Sequence, residues 1–315
     1  MARPFSEQEI KKARSGDLKT LADFDKRGLI CGADESLEQY CDRLETFQKN
    51  LDEMEGEIKE NGFLSLEDMK FPNEERIPES SFSASAKINR DLYDFSIDWV
   101  PGFFLTPRFG MLFGGCAYSF DPDFFSLFII RNSFKKKKKW LFYERDELMS
   151  HELCHVARLA MKSHKYEEQF AYQTSNSGFR RNYGCMMRSA WETYIIMILL
   201  FSMLGTQIYL ILFHAQWLDT QSISSNPIHW FYAALAGFIG FLVLRQKRQN
   251  KQFHHTLELM ENFCKKPKAL AFRLNDEEME ELSTKKELNK ESFVEFLKKC
   301  RGDSFSTNVI EKRFL

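Results

Sequence analysis

The sequence predicts an α+β fold with a helical N-terminal region, a small antiparallel sheet packed on one helix, two transmembrane helices and a helical C-terminal tail. Three patterns predict it. Capped segments with apolar residues three or four apart, a spacing typical of helices, occur towards both ends. Residues 91–143 are rich in Phe, Tyr, Ile and Val and are interrupted by Gly and Pro turns, as short strands are. Two long apolar runs follow, and their length suits a bilayer.

The composition describes a folded chain without a general affinity for nucleic acid. Of 315 residues, 43% are hydrophobic and 28% are charged, a balance typical of globular rather than disordered proteins. The formal net charge is -1, so no overall positive field attracts nucleic acid, and we expect no such partner. The 7 cysteines are an odd number and form no CxxC pair, which favours a reducing compartment over a disulfide framework.

The N-terminal region contains a short capped helix and a longer helix with an apolar seam. Ser6 and Glu9 form a capping box that opens the first helix. In the second helix the apolar residues are Leu37, Cys41, Leu44, Phe47, Leu51, Met54 and Ile58. Their steps of three and four are close to coiled-coil spacing, but three heptads are few. We therefore favour a helix packed on its own domain, and keep a partner protein bound through the 37–58 helix as the alternative.

Two strands are predicted directly before the central helices. Phe124–Phe134 and Trp140–Tyr143 have the aromatic and β-branched content of strands. The run Lys135–Lys139 lies between them and is predicted to form the tip of a hairpin. Contact of this run with acidic lipid is the alternative interpretation.

Two apolar runs are predicted to cross a membrane. Tyr194–Phe213 contains no formal charge over twenty residues, and the second run extends from about Pro227 to Leu244. A buried helical hairpin in a soluble core is the alternative. Two crossings are favoured because the runs together are too long and too apolar for an otherwise polar chain.

The distribution of basic residues predicts the orientation of the two crossings. The loop HAQWLDTQSISSN between the apolar runs has neither Lys nor Arg. The outer flanks carry Arg180, Arg181, Arg188, Arg245, Lys247, Arg248 and Lys251. By the positive-inside rule both flanks face the cytoplasm. The sequence therefore predicts a multi-pass integral membrane protein with cytoplasmic N- and C-terminal regions.

The segment His151-Glu152-Leu153-Cys154-His155 is the strongest chemical signal in the sequence. It lies on a predicted helix over 145–163, where residues four apart project from one face. His151 and His155 thus have the spacing of two ligands of one tetrahedral zinc ion. Glu152 is rotated by about 100°, so its carboxylate can act as a general base on zinc-bound water. Two surface histidines on a helix, without a metal, are the alternative.

A third ligand comes from the next predicted helix, 165–173. Glu168-Gln169-Phe170-Ala171 has the form Glu-x-x-Ala, and here the chain resembles the gluzincin zinc metallopeptidases. The resemblance covers roughly residues 120–175. It implies that His151, His155 and Glu168 bind Zn²⁺ and that Glu152 is the catalytic base.

The chain also departs from the gluzincin pattern. Tyr172 stands where the family often has an Asp that supports the first histidine, and the gap of 13 positions from His155 to Glu168 requires a tight turn. Glu167, His164 and Glu192 stay open as alternative third ligands. The metzincin pattern does not fit, because position 161 is Met.

These features predict a zinc-dependent peptidase whose active site lies near the cytoplasmic face of the membrane. The resemblance implies that an extended peptide or protein substrate lies along an edge strand, for which Phe124–Phe134 is the candidate. Tyr172, Tyr183, Arg180 and Arg181 are candidates for stabilising the oxyanion. The alternative is a non-enzymatic, membrane-anchored interaction protein with a structural or vestigial metal site.

The predicted parts follow one another along the chain. They are an N-terminal helical region (1–62), a metallopeptidase-like domain with its sheet on the His-Glu-x-x-His helix (63–190), a transmembrane hairpin (191–248) and a C-terminal helical region (249–315). In the last part, Asn275 is predicted to cap a helix with acidic residues in its first turn.

Overall fold

Helices dominate the computed structural model, and the strands are few and short. The structure describes residues 3–66, 69–105, 113–120, 125–141, 143–213 and 228–315. Its α-helices are α1 (Glu7–Arg14), α2 (Leu18–Lys26), α3 (Leu37–Asn61), α4 (Phe82–Tyr93), α5 (Arg145–Arg158), α6 (Glu167–Tyr172), α7 (Gly178–Tyr183), α8 (Ala190–Phe213), α9 (Ile228–Glu261), α10 (Pro267–Ala271), α11 (Asp276–Ser283), α12 (Lys290–Arg301) and α13 (Phe305–Phe314). Its strands are β1 (Phe63–Leu66), β2 (Met69–Pro72), β3 (Gly102–Leu105), β4 (Gly115–Phe120), β5 (Phe125–Arg131), β6 (Lys139–Trp140) and β7 (Tyr143–Glu144).

The chain divides into two units. The first comprises Met1–Asn176 and Gln252–Leu315, and the second comprises Ser177–Lys251. One hydrophobic core runs through the first unit, from Phe5 to Phe314. The four-part division predicted from the sequence is finer than this one and stays a prediction.

The N-terminal helices begin where their capping residues predict. Ser6 accepts a hydrogen bond from the backbone N–H of Glu9, and the Glu9 carboxylate accepts one from the N–H of Ser6. Helix α3 ends at Gly62, whose φ of 78° is in the left-handed region that favours glycine.

The apolar seam of α3 faces the core of its own unit. Six of its seven residues are buried and Leu37 is partly buried against the same core. This confirms the favoured interpretation of the seam. The buried seam is not accessible to a partner helix, and an interaction of the 37–58 helix with a partner protein through another face stays a prediction.

The three-stranded sheet is mixed rather than purely antiparallel. Its order is β3-β5-β4, with β5 parallel to β3 and antiparallel to β4. The prediction of an antiparallel sheet is therefore wrong for β3. Apolar alternation shows which residues can form a strand, but it carries no information on the direction of the neighbouring strand. The two-stranded pairs β1-β2 and β6-β7 are antiparallel.

The lysine run does not connect two long paired strands as predicted. Strand β5 ends at Arg131, and a 3₁₀ turn over Asn132–Lys135 follows, with Phe134 fully buried. The predicted strand Trp140–Tyr143 consists instead of β6 and β7, which pair with each other around Leu141 at a φ of 51°. Because Phe134 is buried in the core, the chain leaves the sheet here and does not continue as a strand. Phe124 and Phe142 lie outside the described residues.

The C-terminal helices belong to the first unit. Asn275 caps α11 through a capping box with Glu278, as predicted. Asp25 on α2 is buried and accepts hydrogen bonds from Arg273, with Nη2 to Oδ1 at 2.9 Å. Arg313 on α13 pairs with the same carboxylate. The N-terminal and C-terminal ends of this unit are thus joined by a buried ionic cluster.

In the described part of the chain two helices are long and apolar enough to cross a membrane: α8, which lies in the second unit, and α9, which begins there and ends in the first. Helix α8 has 24 residues and α9 has 34, and only 6% and 11% of their most apolar windows are buried. Large apolar side chains such as Phe201 and Leu212 are 63% and 68% exposed. A core helix of a soluble protein would bury these side chains, whereas a bilayer would cover them. Pro227 and the loop 214–227 lie outside the described residues.

We expect Asp25→Asn to lower the free energy of unfolding by about 3–5 kcal/mol, because it leaves two buried guanidinium groups without their shared carboxylate. Asp91→Asn on α4 is the matched control. Asp91 is 60% exposed and pairs with Lys87 at the surface, so a change within about 0.5 kcal/mol is expected. Urea unfolding of the detergent-solubilised chain measures both. Equal stability of the two variants would contradict the role of Asp25.

Candidate metal centre

Helix α5 presents the two motif histidines on one face. Their Nε2 atoms are 3.3 Å apart, and their side chains are only 16% and 20% exposed. The four-residue spacing places the rings nearly above one another, since four residues make slightly more than one turn. His151 and His155 are therefore brought together as their spacing predicts.

Helix α6 brings Glu168 to the same point. Its Oε2 lies 3.5 Å from Nε2 of His151, and its Oε1 lies 3.4 Å from Nε2 of His155. One ligand atom from each residue can be chosen so that all lie within 4.8 Å of one another. Metal bonds of about 2.0–2.1 Å at the tetrahedral angle place neighbouring ligand atoms about 3.3–3.4 Å apart. The contacts of the histidine nitrogens with each other and with the two oxygens of Glu168 are close to this spacing, so the group could bind a metal ion.

A tight turn makes this convergence possible. Lys162 ends the helical segment in the left-handed region, at a φ of 49°. The carboxylate of Asp276, on α11, then accepts hydrogen bonds from the backbone N–H groups of His164, Lys165 and Tyr166, at 2.6 to 3.0 Å. These bonds outweigh burial and hold the pKa of Asp276 below its ordinary value. The spacing of 13 positions between His155 and Glu168 is short for the gluzincin pattern. Asp276, a residue of the C-terminal region, stabilises the tight turn that this spacing requires.

Glu167 has a different role from its neighbour Glu168. Its Oε1 lies 3.1 Å from Nδ1 of His155, and its Oε2 accepts a hydrogen bond from Nε of Arg158 at 2.7 Å. Burial alone would raise the pKa of Glu167, but Arg158 and His155 together lower it. A charged carboxylate here makes Nδ1 of His155 the donor and leaves Nε2 directed at the candidate metal site. Glu167 is thus a support for the ligand.

Arg158 holds this support in place. Its side chain is fully buried, Nη1 donates to the carbonyl oxygens of Phe272 and Leu274, and its guanidinium lies 4.5 Å from the ring centroid of Phe170. Neither Arg158 nor Asp276 was predicted from the sequence as part of the centre. Arg158 follows His155 by one helical turn, a position from which it reaches the same neighbours, but no motif marks it. Asp276 was predicted only as an acidic residue in the first turn of a helix.

Glu152 points towards the sheet. It is 6% exposed, and its Oε2 accepts a hydrogen bond of 2.8 Å from the backbone N–H of Ala117 on β4. Its charge is also one of those that raise the pKa of His155. Glu152, the candidate base, is therefore a buried carboxylate on α5 that is held by β4. Its charge also acts on His155, a candidate ligand.

The predicted edge strand Phe124–Phe134 is not an edge. Strand β5 is the central strand, paired on one side with β3 and on the other with β4. Its main-chain groups are occupied by these neighbours, so it cannot add a peptide strand. Strand β4, which carries Ala117, is at the edge of the described sheet. Buried central and half-exposed edge strands both have apolar runs, which explains the incorrect assignment.

Of the other residues considered from the sequence, Tyr172 contacts His151, whereas Glu192 and the backbone of His164 have partners outside the His151–His155–Glu168 group. The ring of Tyr172 lies 4.7 Å from that of His151, centroid to centroid, in an edge contact. An aromatic ring thus supports the first histidine where the gluzincin pattern has Asp. Glu192 pairs with Arg245 in the second unit, with Oε1 to Nη1 at 2.5 Å. His164 contributes its backbone N–H to Asp276.

Tyr183, Arg180 and Arg181 lie on α7, in the second unit. Their proposed interaction with an oxyanion stays a prediction.

Burial lowers the pKa of His155, but the hydrogen bond with Glu167 and the charges of Glu167, Glu152 and Glu168 outweigh it and raise the pKa to about 9. The imidazole is therefore protonated at neutral pH in the metal-free protein. A metal ligand must be the neutral imidazole, so metal binding has to displace this proton.

We expect zinc binding to release about one proton per ion through His155 at pH 7, so that affinity falls about tenfold per unit as pH drops from 9 towards 7. Calorimetry in buffers of different ionisation enthalpy measures the released proton. In Glu167→Gln the charge that raises the pKa of His155 is lost, and the pH dependence should become shallower. A pH-independent affinity in the wild-type protein would contradict this prediction.

The adjacent carboxylates should respond differently to the same substitution. Glu168→Gln removes an anionic ligand candidate, and we expect loss of stoichiometric zinc at micromolar concentration. Glu167→Gln removes only a support, and a loss of about 10–100-fold in affinity with stoichiometry retained is expected. Metal analysis and chelator competition on the purified chain distinguish the two. The reverse order would assign the ligand role to Glu167.

Comparison of the chain with protein-family models, with curated proteins and with solved structures returns no match. The assignment of the centre therefore depends on its geometry alone. That geometry establishes a His151–His155–Glu168 group able to bind a metal ion.

Proposed function

We propose that the chain is a membrane-anchored, zinc-dependent peptidase. The observation that carries the proposal is the convergence of His151, His155 and Glu168, with Glu152 fixed on the same helix as the two histidines. Two nitrogens and one oxygen from the protein are typical of catalytic zinc sites, which keep a further position open for water or substrate. The resemblance of the two helices to the gluzincin pattern supports the same conclusion.

Zinc bound by these three residues would polarise a substrate carbonyl and lower the pKa of a water molecule. Glu152 supplies the proton transfers. Its Oε2 is held by Ala117, which fixes the direction of the carboxylate. Oε1 takes the proton of the attacking water and later delivers it to the leaving amine, as a general base that becomes a general acid.

The main chain of β4 supports binding of an extended peptide. Arg131 donates to the carbonyl of Gly114, which makes this a hydrogen-bonded pair of the antiparallel ladder. The pairs alternate along the ladder, so Ala117, three residues later, directs its N–H and C=O away from β5. The hydrogen bond from Ala117 to Glu152 agrees with that direction. Since Glu152 occupies that N–H, a substrate strand added here would bind the C=O of Ala117, beside the proposed base.

The position of the centre relative to the bilayer is part of the proposal. The basic residues outside the two apolar helices, and their absence from the connecting loop, favour cytoplasmic N- and C-terminal regions. All 7 cysteines are free thiols, which supports a reducing compartment on that side. The substrate would then be a cytoplasmic peptide or a cytoplasmic part of a protein.

Glu152→Gln tests the proposed function. We expect cleavage of a mixed peptide pool by the zinc-loaded chain in detergent to fall by about 10²–10⁴-fold, because the general base is lost while the ligands stay. Asp146→Asn on the same helix is the control and should keep activity, since Asp146 pairs with Arg145 rather than with the centre.

Mass spectrometry of the peptide pool and metal analysis are the two readouts. Full activity in Glu152→Gln would exclude Glu152 as the base. A wild-type chain that binds zinc one to one and cleaves no peptide would favour the alternative function, an interaction protein with a structural metal site.

A further inference from the structure

The segment from Arg131 to Glu144, of which the structure describes all residues but Phe142, concentrates positive charge in a nearly neutral chain and is here called the basic hairpin. It contains Arg131 and five consecutive lysines against one acidic residue, Glu144. Lys135 pairs with Glu75, and Lys139 with Glu144 at 3.7 Å. The side chains from Lys136 to Lys138 are exposed, and the ion pairs in the described part of the chain do not include them.

Side-chain contacts hold the basic hairpin in a defined conformation. Phe134 anchors its start in the core, and the guanidinium of Arg131 lies 4.0 Å from the ring centroid of Trp140. The rings of Trp140 and Tyr143 are parallel, with an angle of 3° between their planes. These contacts hold the lysines and the turn in a fixed relation to the first unit.

The turn of the basic hairpin exposes an apolar residue. Leu141 is 61% exposed and sits at a φ of 51°, in the tight turn between β6 and β7. A leucine in the left-handed region is uncommon, because its Cβ crowds the following carbonyl oxygen there. A glycine or asparagine would suit a solvated turn better. The sequence therefore retains an apolar side chain at a position where water and backbone geometry both oppose it.

Lysines around a projecting apolar residue match the chemistry of an anionic membrane surface. Ammonium groups bind lipid phosphates and carboxylates, while apolar and aromatic residues enter the interface below them. Next to the turn, an open pocket with a volume of about 430 Å³ is lined by Asn132, Ser133, Lys136, Lys137 and Trp140. It offers two amino groups and an aromatic ring to a lipid headgroup. A solvated hairpin tip would need neither the leucine nor the ring.

The chain's two apolar helices supply the second argument. The first unit is covalently connected to them at both Asn176–Ser177 and Lys251–Gln252. A unit tethered in this way is at a high effective concentration near the bilayer, so a weak surface contact suffices to dock it. Nucleic acid would use the same lysines, but it offers no apolar phase for Leu141.

We propose that the basic hairpin docks the first unit on an anionic membrane surface, with Leu141 entering the interface and Lys136–Lys139 contacting the headgroups. The inference is independent of the proposed peptidase activity. It requires only that the chain be held at a membrane.

The test uses the full chain in nanodiscs of phosphatidylcholine alone or with 30% phosphatidylserine. Leu141→Cys, in a Cys300→Ser background, carries an environment-sensitive fluorophore at the turn. With phosphatidylserine we expect a blue-shifted emission and several-fold less quenching by iodide. Because each lysine contributes about fivefold to binding at such a surface, Lys136→Gln with Lys137→Gln should lower the ratio of docked to undocked protein by about 25-fold.

Lys11→Gln with Lys12→Gln is the matched control, because it removes the same charge from exposed positions on α1. It should leave the signal unchanged, and 0.5 M NaCl should weaken the signal of the labelled chain that keeps all its lysines. An emission that is the same in both lipids, or equally reduced by the control pair, overturns the proposal. Binding of a 20-nucleotide RNA through Lys136 and Lys137 without a lipid response would assign the surface to nucleic acid and also overturn it.

Discussion

The buried guanidinium of Arg158 is the constraint on which the metal centre depends. It binds Glu167 on α6 through Nε, and the carbonyl oxygens of Phe272 and Leu274 through Nη1. Glu167 in turn binds His155. The position of α6 relative to α5 follows from this chain of contacts, and with it the distance from Glu168 to the two histidines. A fully buried cation must be paired or it destabilises the fold, so this arrangement is strongly determined.

The parts of the centre that the sequence predicts are those set by short-range geometry. The histidines converge because four residues make about one helical turn, and this holds wherever the helix lies. Glu168 was found through the Glu-x-x-Ala form on the next helix. The same form favoured Glu168 over Glu167, and the structure adds the physical reason: Glu168 lies beside both histidine Nε2 atoms, whereas Glu167 contacts Nδ1 of His155 and Arg158.

The parts that the sequence does not predict depend on long-range contacts. Asp276 closes a turn more than a hundred residues earlier in the chain, and Phe272 accepts from Arg158 over a similar separation. No local periodicity or motif in the sequence predicts such a pairing. The order of the strands in the sheet also depends on long-range pairing. Strand β3 pairs with β5 in parallel, so β5 is the central strand and β4 is an edge strand. The helix caps at Ser6 and Asn275 are local, and there the sequence is sufficient for the start of each helix.

The discontinuity of the first unit has a consequence for biosynthesis. This unit is assembled from residues on both sides of the two apolar helices, and Phe272, Leu274 and Asp276 are on the later side. A ribosome delivers them only after α8 and α9 have been made. During synthesis the histidines and Glu168 therefore exist before the groups that hold their helices together. The candidate metal centre can therefore assemble only after α8 and α9 have been synthesised, because the residues that hold its two helices together are translated last.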